Sequence, residues 1–185
     1  MHHLYRLASL ADALRVREID VRSVLRGPGG SYLGTRHRMP RSLTELLTVA
    51  ALVALKGVLR RSQRAAVLAL STRADFQLWA SDPWHGVQLV VPAGGLDPYL
   101  VDLKTTRPDD PRIARMWAGI RLDLYDMLVG LRDELERLAS ENPSWAARHV
   151  ATIAVGWSDD KPKAGAKPSR IAFPDVLTLR DVIEG

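Results

Sequence analysis

Ser9-Leu-Ala-Asp-Ala-Leu-Arg-Val-Arg-Glu-Ile-Asp-Val-Arg-Ser-Val-Leu25 is the stretch on which the fold turns. Its apolar residues are Leu10, Ala11, Leu14, Val16, Ile19, Val21, Val24 and Leu25, a spacing that predicts two short helices broken near Arg15 to Arg17 rather than one continuous stripe. Small Ala11 lets the second helix approach the first, Leu14 and Val16 seal the corner, and Val21, Val24 and Leu25 pack back. That is the logic of a helix-turn-helix. The outer face of the second helix then carries Arg17, Glu18, Asp20, Arg22 and Ser23, where an element entering a major groove holds its readers. Arg15 stands at the turn position where glycine is common.

Outward from this pair, Gly27-Pro28-Gly29-Gly30 must end the second helix, and Ser31 to Arg38 is expected to form a short basic hairpin, a wing. Ser42-Leu43-Thr44-Glu45 reads as a capping box opening a helix to Lys56, closed by Gly57. Its apolar residues, Leu46, Leu47, Val49, Ala50, Leu52, Val53 and Leu55, cover most of its circumference, so it should be buried on more than one side. A further helix follows, with Arg60, Arg61 and Arg64 on one side and Ala65, Val67, Leu68 and Leu70 on the other.

The order of these parts resembles the DNA-binding domain of the MerR family of transcription regulators. Tyr5-Arg6-Leu7-Ala8-Ser9-Leu10-Ala11 looks like that family's opening, and the two-helix reader, glycine-containing wing and glycine-closed helix have counterparts. The likeness covers residues 1–70; Arg15 in place of the turn glycine and Leu25 near a usual aromatic depart from it. It implies that the second helix reads bases while Arg36, His37, Arg38 and Arg41, on or after the wing, contact the DNA backbone.

Charge points the same way. The chain of 185 residues is 46% hydrophobic and 25% charged, with a formal net charge of +5. Residues 1–70 hold eleven Arg and one Lys against four carboxylates, a surplus of eight, while the remainder holds 14 basic against 17 acidic groups, a deficit of three. An anion-binding module followed by something with another task is the expectation. The absence of Cys excludes disulfides, thiolate zinc, iron–sulfur clusters and a cysteine nucleophile. Five His show no ligand spacing, and His2 and His3 are expected at a frayed terminus, so no metal or other cofactor is expected. Neither an apolar run long enough to span a bilayer nor a signal-peptide pattern is visible, and a cytoplasmic location is the expectation.

Residues 71–185 are expected as a second, α/β domain for dimerisation or sensing, giving an α+β chain overall. Asp75–Ala80, Gly86–Val91 and Tyr99–Lys104 read as strands of an antiparallel meander, and Arg148–Trp157 as another. A helix from Asp110-Pro111 to about Ser140 carries Ile113, Trp117, Ile120, Leu124, Met127, Leu131, Leu135 and Leu138 at heptad steps. MerR-like regulators dimerise through a long helix, so Met127, Leu131, Leu135 and Leu138 are the expected homodimer seam. Phe76, Trp79, Trp84 and Trp157 could line a small-molecule pocket or form the core of the sheet.

A different function class is suggested by residues 97–128, which partly resemble RecB-like PD-(D/E)xK nucleases. Asp102 and Lys104 have the spacing of the catalytic strand, and Arg121 to Tyr125 the form of the helix motif with Arg for glutamine. Gln88 stands where that family needs a second carboxylate, so a magnesium ion would lack its anionic cage, and the protein is expected not to cut DNA. The expected partner is double-stranded DNA. The alternatives are a nuclease-like DNA-processing protein, active or inactive, and an assembly protein using the winged helix for protein contacts.

Overall fold

The computed structural model describes residues 2–27, 30–31 and 41–153. The fold is α+β: eight α-helices and seven short strands among the described residues. Strand β1 (His2–Tyr5) leads into α1 (Leu7–Ala13) and α2 (Glu18–Val24), then the hairpin β2 (Arg26–Gly27) and β3 (Gly30–Ser31). Helix α3 (Leu43–Ala54) opens on the capping box: the Glu45 N–H donates to the Ser42 hydroxyl at 3.2 Å, and the Ser42 N–H to the Glu45 carboxylate at 3.1 Å. Leu46 through Leu52 are all buried, so α3 is the central helix. Gly57, at φ +89°, takes the left-handed conformation that lets the chain turn into α4 (Arg61–Ala69).

Two elements beyond residue 70 differ from expectation. Asp75–Ala80 is not a strand but lies in α5 (Ala74–Ser81). Its aromatics recur at three residues, not two: Phe76 and Trp79 are buried on one face and stack at 5.5 Å, while Leu78 is 70% exposed. Arg73 and Asp75 start the helix, the Phe76 N–H donating to the Asp75 carboxylate.

The expected long helix is likewise interrupted. Asp110 caps α6 (Pro111–Trp117), the chain reverses at Gly119, and β6 (Ile120–Asp123) lies antiparallel to β4 (Val87–Val91). A Cβ at Gly119 would sit 2.6 Å from the Val91 carbonyl oxygen, so only glycine permits this approach. Asp123 then accepts the Tyr125 and Asp126 N–H groups and starts α7 (Leu124–Glu141). The heptad steps therefore joined residues of three elements. Trp117 and Ile120 are exposed, whereas Leu124, Leu128, Leu131 and Leu135 form a buried stripe.

That stripe includes two residues of the expected dimer seam. Helix α7 packs on α1, α3 and β4 of its own chain, Leu131 and Leu135 are in the core, and Met127 and Leu138 pack partly buried against it. Leu131 and Leu135 are spent inside the protomer, while Met127 and Leu138 keep part of their surface open.

Strand β4 is central, flanked by β5 (Tyr99–Asp102) and β6. Alternation along it serves two layers: Val87, Leu89 and Val91 join the main core, while Val90, with Val101 and Met116, forms a small second cluster toward α6. After α7, Asn142 caps α8 (Pro143–His149), and β7 (Val150–Ile153) pairs with β1. His2 and His3 thus lie in a paired strand rather than a frayed end. The strand expected at Arg148–Trp157 begins at Val150, and Trp157 lies outside the described residues.

One apolar cluster runs from Tyr5 to Trp145, through α1, α2, α3, α5, β4, α7 and α8. The division expected at residue 70 does not separate two cores. Trp145 adds a polar tie, its indole N–H donating to Asp12 at 2.6 Å. No helix among the described residues is long and apolar enough to cross a membrane.

Two outcomes follow from this packing. Leu135 is fully buried, so Leu135→Ala should cost about 2–5 kcal/mol. Native-state amide exchange should report that loss at Leu10 and Val21 as well as in α7; unchanged protection at Leu10 and Val21 would mean separate cores. The His149 ring lies tilted against Trp145 with its Nδ1 buried and unpaired, and burial pushes its pKa below 6.5; Asp12 and Glu18 oppose this, Arg148 and Arg6 reinforce it. The unfolded chain therefore binds this proton more readily. Stability from this group is complete above pH 6.5 and erodes as pH falls toward the folded pKa. His149→Gln should flatten the dependence of the urea midpoint on pH between about 5 and 7.

Candidate nucleic-acid interface

The turn between α1 and α2 closes by backbone hydrogen bonds from Leu14 to Leu10, Arg15 to Asp12 and Val16 to Ala11, at 2.9, 3.1 and 2.9 Å. Arg15 has φ 53°, the one non-glycine residue at positive φ among the described residues, so the arginine occupies the conformation for which glycine is the usual choice. Val21 and Val24 are buried on the inner face of α2, which packs against α1 and α3. The outer face is open: the side chains of Arg17, Arg22 and Glu18 are 81%, 58% and 48% exposed. Ile19 is exposed beside them.

In the free protein these arginines are paired within the helix. Arg17 contacts Asp20 at 3.0 Å and Arg22 contacts Glu18 at 2.5 Å. Asp20 also receives Lys56 at 2.7 Å, and these hydrogen bonds, Lys56 first and Arg17 second, hold its carboxyl below the usual carboxylate range. The Ser23 hydroxyl donates to the Asp20 carbonyl. Asp20 and Ser23 are thus half-buried and engaged within the chain, Asp20 tying the end of α3 to α2, while Arg17, Glu18 and Arg22 project outward.

A short hairpin follows α2 directly, with Arg26 opposite Ser31 and Gly27 opposite Gly30; the expected wing hairpin beyond Ser31 lies outside the described residues. Arg36, His37 and Arg38 lie outside the described residues. Arg41 corrects the expectation of a backbone contact: it is 7% exposed, its guanidinium meets Glu45 at 2.9 Å, and its backbone bridges Tyr5. It fastens β1 to the start of α3. Sequence reasoning missed exposed Arg26, next to α2, and Lys56, whose pairing with Asp20 has no local signal.

The nuclease-like constellation does not assemble. Strand β5 ends at Asp102, and Lys104 lies in the following turn rather than two residues along one strand face. The Asp102 carboxylate accepts the Lys104 N–H, the Thr105 hydroxyl and the Trp84 indole N–H, at 2.9, 2.9 and 3.3 Å. It shapes that turn. Arg121 is in β6 and Tyr125 in α7, so the helix motif is split between elements. Among the described residues no group of three or more His, Asp or Glu is placed to hold a metal ion.

Phe76, Trp79 and Trp84 do meet, lining a cavity of about 470 Å³ between α5 and the β5 turn. Phe76 and Trp79 are thus both buried core and cavity wall, while Trp84 is a half-buried wall residue. No family model, curated protein or solved structure matches the chain.

Arg15→Gly should stabilise the protein. Relief of the left-handed strain, about 1–2 kcal/mol, outweighs the extra flexibility of the unfolded chain, about 0.4–1 kcal/mol. The 3.7 Å pairing of Arg15 with Glu134 is too exposed to reverse the sign. A urea melt should show a higher midpoint; a lower one would mean that the Arg15 side chain holds the turn.

Proposed function

We propose that the protein is a sequence-specific double-stranded DNA-binding protein, a transcriptional regulator with a MerR-like winged helix-turn-helix, and that α2 reads bases in the major groove. The observation that carries this reading is α2 itself: its inner face is locked by Val21 and Val24, and its outer face presents Arg17 and Arg22 to solvent. Arginine suits the task because its planar fork can donate two hydrogen bonds to guanine O6 and N7. The surplus of eight positive charges over residues 1–70 supports phosphate attraction. Exposed Arg15 and Arg26 flank the reading helix and are suited to phosphate contact, with Arg36 and Arg38 as sequence-based candidates.

Self-pairing with Glu18 and Asp20 does not block this use. Exposed ion pairs are worth about 0–1 kcal/mol, whereas a bidentate arginine–guanine contact discriminates by about 1–3 kcal/mol. Glu18 and Asp20 instead hold the two arginines extended along the helix before DNA arrives. A seven-residue helix spans only a few base pairs, so a full site should contain two half-sites bound by two copies.

The test begins with selection from a random duplex library, followed by affinity measurements on the selected and scrambled sites. Arg17→Ala and Arg22→Ala should each cost about 1–3 kcal/mol on the selected site and clearly less on the scrambled one. Affinity for both should fall with salt by about 0.9 logarithmic units per phosphate contact per decade. Equal losses on the two sites, or no enriched sequence, would overturn the reading.

A further inference from the structure

We propose that the cavity between α5 and the β5 turn is a binding site for a small planar aromatic carboxylate. Its volume, about 470 Å³, falls within the range of small-molecule sites, about 300–1,000 Å³. The floor is apolar, with Phe76 and Trp79 beneath and Val87 and Leu100 beside them. Both indole N–H groups are already spent, Trp79 on the Trp84 carbonyl at 3.0 Å and Trp84 on Asp102 at 3.3 Å. What these tryptophans offer a ligand is therefore ring surface, not donors. Trp84 is only half-buried and Leu78 is 70% exposed, so apolar surface at the mouth is left wet. A flat aromatic body would cover it.

The charges select the sign of the ligand. On the rim, Arg73 is bidentate to Asp75 and Arg112 to Asp110, so these four groups neutralise one another. Asp102 already accepts from three donors, and Lys104 lies beside it over the Trp84 ring at 5.9 Å. Arg107 is left, exposed on the rim with no carboxylate partner among the described residues. A guanidinium binds a carboxylate through two parallel hydrogen bonds, and the nearby Thr106 hydroxyl adds a donor. Asp102 keeps its own charge but its oxygens are taken by three donors, so Arg107 is the charged lining group, among the described residues, left free to bind, and above aromatic walls it favours a carboxylate on a flat ring. On the DNA-binding reading this would be an effector site, since α5 packs on α3, which carries α2; the binding itself does not depend on that reading.

The test titrates the full ¹⁵N-labelled chain with 2-naphthoate, its uncharged amide 2-naphthamide and inorganic phosphate, following the Trp79 and Trp84 indole N–H signals. No DNA is present, so failure here leaves the DNA reading untouched. Naphthoate should shift both signals saturably, with a Kd at least ten-fold below that of the amide. Arg107→Gln should raise the naphthoate Kd to that of the amide and leave thermal melting unchanged. The proposal is overturned by no saturation at millimolar naphthoate, by equal affinity for acid and amide, by an unaffected Arg107→Gln variant, or by phosphate binding as tightly as naphthoate.

Discussion

The leucine stripe of α7, Leu124, Leu128, Leu131 and Leu135, lies against α1, α3 and β4, and the rest of the structure depends on that contact. Each fully buried leucine contributes about 1.5–3 kcal/mol. Four of them together are comparable to the net stability of a typical domain, about 5–15 kcal/mol, so loss of the stripe would unfold the chain. Its contact with α1 joins residues more than a hundred positions apart. Strand pairing of β1 with β7 and the Trp145–Asp12 hydrogen bond close the same circuit.

Presentation of the candidate reading helix follows from this constraint. Helices α1 and α2 have seven residues each, well below the about 12–15 at which an isolated helix becomes marginal in water. Their stability comes from α3 beneath and α7 behind. Because the apolar grip on α2 is made by Val21 and Val24, its opposite face needs no apolar packing role and is free to carry Arg17 and Arg22. Asp20 supplies a polar brace to Lys56 without closing that face.

What was legible in the sequence was local. The α1–α2 break, the Ser42–Glu45 capping box, the Gly57 stop and strands β4 and β5 each rest on neighbours a few residues apart, and each is present. The errors arose where tertiary geometry chose between two periods. The run Asp75–Ala80 fits alternation on paper, but the three-residue spacing of Phe76 and Trp79 prevails because both side chains must reach one core. Residues 110 to 140 keep a heptad count across Gly119, yet the backbone approach that Gly119 permits draws Ile120–Asp123 onto β4. Arg41 looked like part of a basic surface; Glu45, four residues on, was the available sign that it pairs inward. Asp102 keeps its strand but Lys104 does not, because Thr105 and the Lys104 N–H fold the turn back on the carboxylate.

The central claim is that the α1–α2 pair folds only on the scaffold supplied by α7, α8 and β7. A fragment of residues 1–70, produced alone and compared with the full chain in amide ¹H–¹⁵N spectra, tests it directly. The account predicts collapsed amide dispersion for the fragment, with the α1 and α2 resonances of the full chain missing. A fragment whose α1 and α2 signals overlay those of the full chain would contradict it.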